Sequence, residues 1–239
     1  MGITTKSLAA AAVFAALTLA GCGTEGHTQK VADRSSSTRV GPSGEVDAAF
    51  LERLQDRALP AVRSGSLAQA IAAEPVVLTG VIDGVEAGPT TVQAISTELD
   101  TRAHTVVVRV RVERAFKSDG VKLAAGFAYV TIRSGSEMTD HDGAAIGDVP
   151  SKNPTVADIA KAMPAGTRVV LATRPTPPPR AGAEYGRVVD QDAGHPAGAA
   201  LLEGDLPPFF SIEDGDGRLT GWPSMTYDDA VAALEKAFP

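Results

Sequence analysis

Apolar and polar residues alternate along Thr105–Phe116, and this pattern predicts a β-strand with one buried and one solvated face. Valines occupy the even positions 106–112, whereas the odd positions hold Val107, Arg109, Arg111 and Glu113. Apolar runs indicate three more strands, at Val76–Val85, Phe127–Arg133 and Arg168–Thr173, the last buried on both faces. The chain is therefore expected to be mainly β, within an α+β class.

Short helices are expected around these strands, because apolar residues elsewhere recur at intervals of three and four. The predicted helices are Val46–Val62, which Pro60 should end, Ser66–Ala73, Thr155–Met163 and Thr226–Phe238. Ser66 and Thr226 are expected N-caps, and Asp229 stands at the capping-box position of the last helix.

Glycine-rich segments predict the connections. Asp214-Gly215-Asp216-Gly217 lies between two short apolar runs, Phe209–Ile212 and Arg218–Trp222, which predicts a β-hairpin. With the last helix, this hairpin is expected to form a C-terminal module. Gly135–Asn153 is predicted to be a surface loop and Gly186–Asp190 an edge strand.

Three segments carry a resemblance to known folds: VVLTGVIDGV (76–85), VVVRVRVERAFK (106–117) and FAYVTIRSG (127–135). They resemble β segments of uncharacterised actinobacterial lipoproteins and strands of small OB-like or Greek-key barrels. The resemblance implies a barrel core at about 75–174 with peripheral helices, inside a single β-rich domain at 46–239. Barrels of this kind bind nucleic acids, sugars or peptides, so the fold alone does not specify a ligand.

The N-terminal segment has the pattern of an export signal. Lys6 is followed by 14 uncharged, mostly apolar residues, Ser7–Ala20, which fits a secretory signal and is short for a membrane-spanning helix. The segment ends in Leu19-Ala20-Gly21-Cys22, which resembles the lipobox of bacterial lipoproteins.

The resemblance implies a signal peptide at 1–21 and a Cys22 that carries a diacylglyceryl group and acyl chains such as palmitate. Residues 22–45 would then be a lipidated flexible tether, because they are rich in Gly, Ser and Thr and poor in large apolar residues. An ordinary signal peptide followed by a chance cysteine, or a buried helix, is the alternative.

Composition excludes several function classes. The chain has 239 residues, a formal charge of −7 and one cysteine. A single cysteine excludes an internal disulfide framework and a multi-thiolate zinc site. The acidic balance argues against a nucleic-acid partner.

No catalytic or cofactor-binding motif is recognisable: the Gly-x-Ser-x-Gly elbow and the Ser-x-x-Lys pattern are absent, and no phosphate-binding loop occurs. Asp140-His141-Asp142 offers oxygen and nitrogen metal ligands, but a solvated polar loop is the favoured interpretation. The acidic turn at Asp214 begins like a calcium loop, but Met225 stands where the closing glutamate belongs. We therefore expect no cofactor and no metal.

Charge is unevenly distributed. Thr101–Arg133 carries seven basic and two acidic residues, whereas Pro175–Pro239 carries eleven acidic and four basic residues. Either the acidic C-terminal module packs near the basic sheet, or Arg109 and Arg111 receive an anionic envelope polymer or protein. Trp222, the only tryptophan, is a further ligand-stacking candidate, although packing is the commoner role.

The expected function is a non-enzymatic binding or interaction module, held at the outer side of the cell membrane by the lipid on Cys22. The alternative is an envelope hydrolase or metal-dependent enzyme whose site is assembled from scattered loop carboxylates.

Overall fold

Three long strands build most of the sheet. The computed structural model describes residues 45–56, 66–146, 153–177, 186–204 and 210–239, all within one unit, Arg39–Pro239. The described elements are α1 (Ala48–Asp56), α2 (Leu67–Ala73), β1 (Val76–Ala94), β2 (Leu99–Ser118), β3 (Phe127–Asp140), α3 (Val156–Ala162), β4 (Arg168–Thr173), β5 (Arg187–Val189), β6 (Leu201–Glu203), β7 (Phe210–Ile212), β8 (Arg218–Leu219), β9 (Trp222–Thr226) and α4 (Tyr227–Ala237). The mainly β, α+β class is confirmed.

The main sheet has seven strands. Its order is β6-β3-β2-β1-β4-β7, and β5 pairs with the distal half of β1. Every pairing is antiparallel except that of β6 with β3. The first half of β1 pairs with β4 and its second half with β5, so one strand serves two regions of the fold.

The sequence leaves open whether the barrel closes, and the described strands do not close into a ring of paired ladders. The sheet path ends at β6 and β7, which do not pair with each other. A single bridge, Pro175 with Leu202, instead links the segment after β4 to β6. The amide of Thr176 donates to Leu201 O at 2.8 Å, and the amide of Glu203 donates to Arg174 O at 2.9 Å.

The larger core lies on one face of this sheet. Even-numbered residues of β2, including Val106 and Val108, point into it together with Leu78 of β1 and Phe210 of β7. Leu78, Val108 and Phe210 are completely buried. Helices α1 and α3 supply apolar side chains such as Leu51 to the same cluster. Alternating valines therefore form a core wall, as their period predicts.

A second core lies on the opposite face. Val77, Val170 and Ala172 point away from the first cluster and pack against residues of α2 and α4, which accounts for the burial of β4 on both faces.

The three long strands extend past their predicted ends. The prediction ended β1 at Val85, began β2 at Thr105 and ended β3 at Arg133. Pairing continues to Ala94 in β1, begins at Leu99 in β2 and continues to Asp140 in β3. The predicted surface loop at 135–153 is therefore wrong over its first six residues, which belong to β3. Residues 147–152 lie outside the described residues.

Two bulges lie at the same level of the sheet. Gly88 and Pro89 of β1 both lie opposite Thr105 of β2, since Ala87 pairs with Val106 and Thr90 with His104. On the other side of β2, β3 has one extra residue, Ser134, because His104 pairs with Gly135 and Thr105 with Arg133. Strand β2 passes this level without an insertion.

The C-terminal module differs in pairing from the prediction. Strand β7 pairs with β4, and β8 pairs with β9, so the two predicted hairpin strands share only the bridge Glu213–Leu219. The turn between them forms as predicted, with the amide of Asp214 donating to Arg218 O at 2.8 Å.

Helices α2, α3 and α4 and the edge strand β5 lie where the sequence predicts them. Helix α1 is described to Asp56, and the remainder of its predicted range, with Pro60, lies outside the described residues. The predicted signal peptide and tether lie outside them too, except Glu45.

Candidate functional site

Arg109 lies on the outer face of β2, where the sequence places it, but it is bound by carboxylates of the neighbouring strand. Its Nε donates to Asp83 at 2.6 Å and its NH1 to Glu86 at 3.4 Å. The guanidinium also lies over the Phe127 ring, 5.7 Å from the centroid. An anionic ligand would have to compete with both carboxylates, so Arg109 is a weak anion receptor in this arrangement.

Arg111 has a different environment. It is exposed and pairs across the sheet with Val81 on one side and Phe127 on the other. No described carboxylate forms an ion pair with Arg111, so its donors are available for a ligand. The two candidate arginines therefore share a face, but only Arg111 presents an uncompensated charge within the described part of the chain.

The acidic C-terminal module contacts the basic face directly. Arg114 NH1 donates to Glu235 of α4 at 2.5 Å, and Arg168 NH1 donates to Asp228 at 3.0 Å. Arg168 also forms a two-pronged ion pair with Glu213. These contacts support the intramolecular interpretation of the charge asymmetry for Arg114, although they leave Arg111 open.

Arg168 links this module to the sheet through a second type of contact. Its guanidinium lies 4.3 Å from the centroid of the Tyr227 ring, and the hydrogen bond to Glu213 raises the pKa of Arg168. Burial raises the pKa of Tyr227 to about 12, against the opposing effect of a hydrogen bond with Thr79. Both groups therefore keep their neutral-pH charge state, which stabilises the packing of α4 on β4.

Trp222 lies inside the second core and only 7% of its surface is exposed. Its Nε1 is buried and has no hydrogen-bond partner among the described residues. This burial favours the packing role of Trp222 over stacking on a sugar.

The Asp140-His141-Asp142 segment lies at the end of β3, where it joins the β1–β2 turn. His141 Nδ1 lies 3.0 Å from Asp100 Oδ1, and His141 Nε2 lies 2.7 Å from Thr97 O. The backbone carbonyl of Thr97, then the carboxylate of Asp100, raise the pKa of His141 because both accept protons held by the ring. Asp140 instead accepts from the amide of Ala144 at 2.8 Å.

The side chains of Asp140 and His141 therefore have structural contacts within the fold. Among the described residues, no group of three or more His, Cys, Asp or Glu side chains is arranged to hold a metal ion. At the acidic turn, Asp214 Oδ1 accepts from the amides of Asp216 at 2.9 Å and Arg218 at 2.8 Å, which is the bonding of a turn.

One feature escaped the sequence prediction, namely the extension of β1, β2 and β3 beyond the two bulges. A signal for it exists in β2. After Thr105, apolar residues occupy the even positions. Before Thr105, the uncharged residues Leu99, Thr101 and Ala103 occupy the odd positions and alternate with the charged Asp100 and Arg102. The change of phase hides the strand from a search for one continuous alternation.

Comparison with known proteins identifies no relative: no family model, no curated protein and no solved structure matches the chain. In the described part of the chain, every helix is too short or too polar to cross a membrane.

Proposed function

We propose that this chain is a lipid-anchored protein of the outer side of the cell membrane, whose β-rich domain binds a partner without catalysing a reaction. The observation that carries the proposal is Leu19-Ala20-Gly21-Cys22, which follows a charge-free apolar segment and contains the only cysteine. A lipidated cysteine followed by a flexible segment anchors a domain to a bilayer while leaving it free to meet partners.

The site geometry supports the binding half of this proposal. In the described residues, His141, Asp140 and Asp214 are used in turns and strand-to-strand contacts. The exposed features are Arg111 and an apolar surface described below, both of which suit recognition.

Replacing the cysteine tests the anchor. In a host with bacterial lipoprotein processing, the wild-type chain should incorporate an alkyne-labelled fatty acid and fractionate with membranes. Cys22→Ala should lose all label and accumulate as the unprocessed precursor, because the thiol is the acylation site. Thr24→Ala, two residues away, is the matched control and should behave as wild type.

Two results would contradict the proposal. If the wild-type chain takes up no label and fractionates with membranes to the same extent as Cys22→Ala, Cys22 is not a lipid anchor. Turnover of an envelope substrate by the purified chain, abolished by His141→Ala, would remove the non-enzymatic half.

A further inference from the structure

The ribbon tip, defined here as residues 90–104 and 135–146, buries two polar residues beside Val92 on one side and exposes large apolar residues on the other. Asp100 is 6% exposed and Thr139 is completely buried. They face each other across β2 and β3, on the same side of β2 as Val106 and Val108 of the core. In a soluble β-sheet this polarity is normally the opposite.

The other side of the ribbon tip is a partly apolar surface that carries one charged residue, Asp140. All the large hydrophobic residues that are exposed in the described chain lie there: Ile95 at 55%, Met138 at 47% and Ile146 at 48%. An apolar group left in water in a folded domain forfeits the free energy of burial, so their grouping requires an explanation.

Strand register places these side chains in two neighbouring rows. Gln93 pairs with Thr101 and Thr101 with Met138, while the amide of Ile146 donates to Met138 O at 3.1 Å. The next row runs from Ile95, whose amide donates to Leu99 O at 2.8 Å, through Leu99 to Asp140 and Ala144. Asp140 is the only charged residue in the two rows. The rows form one continuous surface, which we call the tip face.

The area of the tip face decides against a second copy of this chain as the occupant. Four strands about 4.8 Å apart and two rows about 7 Å apart give roughly 270 Å². A stable interface between two globular partners buries about 800 Å² on each side. The tip face therefore fits a short extended segment rather than another domain.

The charge around the tip face decides against a bilayer. Residues 90–104 and 135–146 contain five acidic residues and one basic residue, Arg102, which lies on the Asp100 side of β2 and not on the tip face. Of these, Glu98 and Asp142 are exposed and flank the two rows, whereas Asp100 is paired with His141 and Glu137 with His104. Anionic lipid headgroups and a second, equally acidic copy would both be repelled. The complementary partner is apolar and carries lysine or arginine on its flanks.

We propose that the tip face binds a short apolar protein segment flanked by basic residues, and this proposal deepens the proposed function by naming its class of partner. Ile95, Met138 and Ile146 supply the apolar contact, while Glu98 and Asp142 set charge specificity. The contact between buried Asp100 and exposed His141 holds the β1–β2 turn against the end of β3 and so keeps the two rows aligned.

A designed peptide tests the proposal on the full chain purified in non-ionic detergent. The probe is an eight-residue peptide of alternating lysine and valine, fluorescently labelled, and its counterpart replaces lysine with glutamate. Binding is measured by anisotropy at several salt concentrations and located by protection of amides from hydrogen exchange. The lysine peptide should protect residues 93–101 and 136–146, and the glutamate peptide should not bind.

Three variants separate apolar contact from general charge attraction. The triple variant Ile95→Ser, Met138→Ser and Ile146→Ser keeps the net charge and should raise the Kd at least tenfold. The double variant Glu98→Gln and Asp142→Asn should raise the Kd about threefold and reduce the dependence of the Kd on salt concentration. Asp192→Asn with Asp216→Asn, an equal loss of two charges at exposed positions outside the ribbon tip, should leave the Kd unchanged. Because all these positions are exposed, the thermal midpoint should stay at the wild-type value, which checks folding.

Several outcomes would overturn the proposal. These are unchanged affinity of the triple serine variant, protection outside the ribbon tip, or equal binding of the glutamate peptide. A dimer that the triple serine variant abolishes would assign the tip face to a second copy of the chain. Binding to phosphatidylglycerol vesicles that the same variant abolishes would assign it to lipid. Cys22→Ala should bind the probe like wild type, so failure of acylation and failure of the tip face are distinguishable.

Discussion

Gly80 shows how one residue permits the sheet to curve. A Cβ at this position would lie 2.8 Å from Val110 Cγ1 and would also contact the backbone carbonyl of Arg111. The register of β1 against β2 shifts at the same point, between Thr79 and Gly80. The glycine therefore allows β2 to approach β1 closely at this register shift.

Gly80→Ala should destabilise the fold by about 1 to 3 kcal/mol, because the methyl group overpacks against a backbone that cannot move freely. Chemical denaturation measures the difference. Gly84→Ala is the matched control in the same strand, since its Cβ would meet only Arg109 NH2 at 3.8 Å. Equal stability of the two variants would contradict this role of Gly80.

His141 is the residue whose charge fastens the ribbon tip. Both ring nitrogens face acceptors, Thr97 O and the carboxylate of Asp100, so the doubly protonated ring fits the site better than the neutral one. The pKa of His141 is therefore raised above its usual 6.5. Its stabilising contribution is complete below pH 6.5 and is lost as the pH rises through the folded-state pKa.

A proton titration followed by NMR should find the pKa of His141 above 6.5, and Asp100→Asn should lower it. Protection factors of the amides of residues 95–99, which are corrected for the intrinsic base catalysis of exchange, should fall as the pH rises through that pKa, and this fall should be absent in His141→Phe. A pKa of His141 at or below 6.5 in the wild-type chain would show that Asp100 and Thr97 do not hold the proton.

Among the elements, the helices were the easiest to predict, because their signals are local. Thr226 accepts from the amide of Asp229 at 3.1 Å, and the Asp229 carboxylate accepts from the Thr226 hydroxyl at 2.7 Å. The same reciprocal arrangement begins α3 at Thr155 and Asp158. The three long strands were predicted in position but not in length, since pairing partners rather than local pattern set where β1, β2 and β3 end.

Thr226→Ala should destabilise the fold by about 1 kcal/mol, because the first turn of α4 loses the acceptor for its amide. Thr226→Ser retains the hydroxyl and should remain close to wild type in the same thermal unfolding measurement. The Thr226 hydroxyl and amide lower the pKa of Asp229. The contribution of Asp229 is therefore present above the usual carboxyl pKa and is lost as the pH falls through the lowered value. Identical stability of the alanine and serine variants would contradict the capping role.

At the scale of the whole molecule, class and core were predictable, whereas connectivity was not. The prediction for β4 is correct to the residue, since a short run of RVVLAT between turn signals fits a strand buried on both faces. Strand β6 was missed because its three residues carry no alternation and pair in parallel with β3, far away in the chain. The sequence also did not show that the sheet stays open. The segment Arg174–Thr176 is linked to β6 by hydrogen bonds between residues far apart in the chain, and local patterns do not encode such contacts.

The candidate site was predictable only in part, for a related reason. Alternation correctly placed Arg109 and Arg111 on one face, but only the register of β1 shows that Asp83 and Glu86 engage the first of them. The tip face could not be found from alternation in one phase, because the polarity of β2 reverses at Thr105.

The two bulges beside Thr105 have a mechanical consequence. Both neighbours of β2 insert a residue at that level while β2 runs straight through, so the ladders on its two sides are interrupted together. A bulge bends its strand and increases the local right-handed twist. Because both bulges lie at the level of Thr105, the distal part of the ribbon is twisted relative to the valine-lined core at that one level.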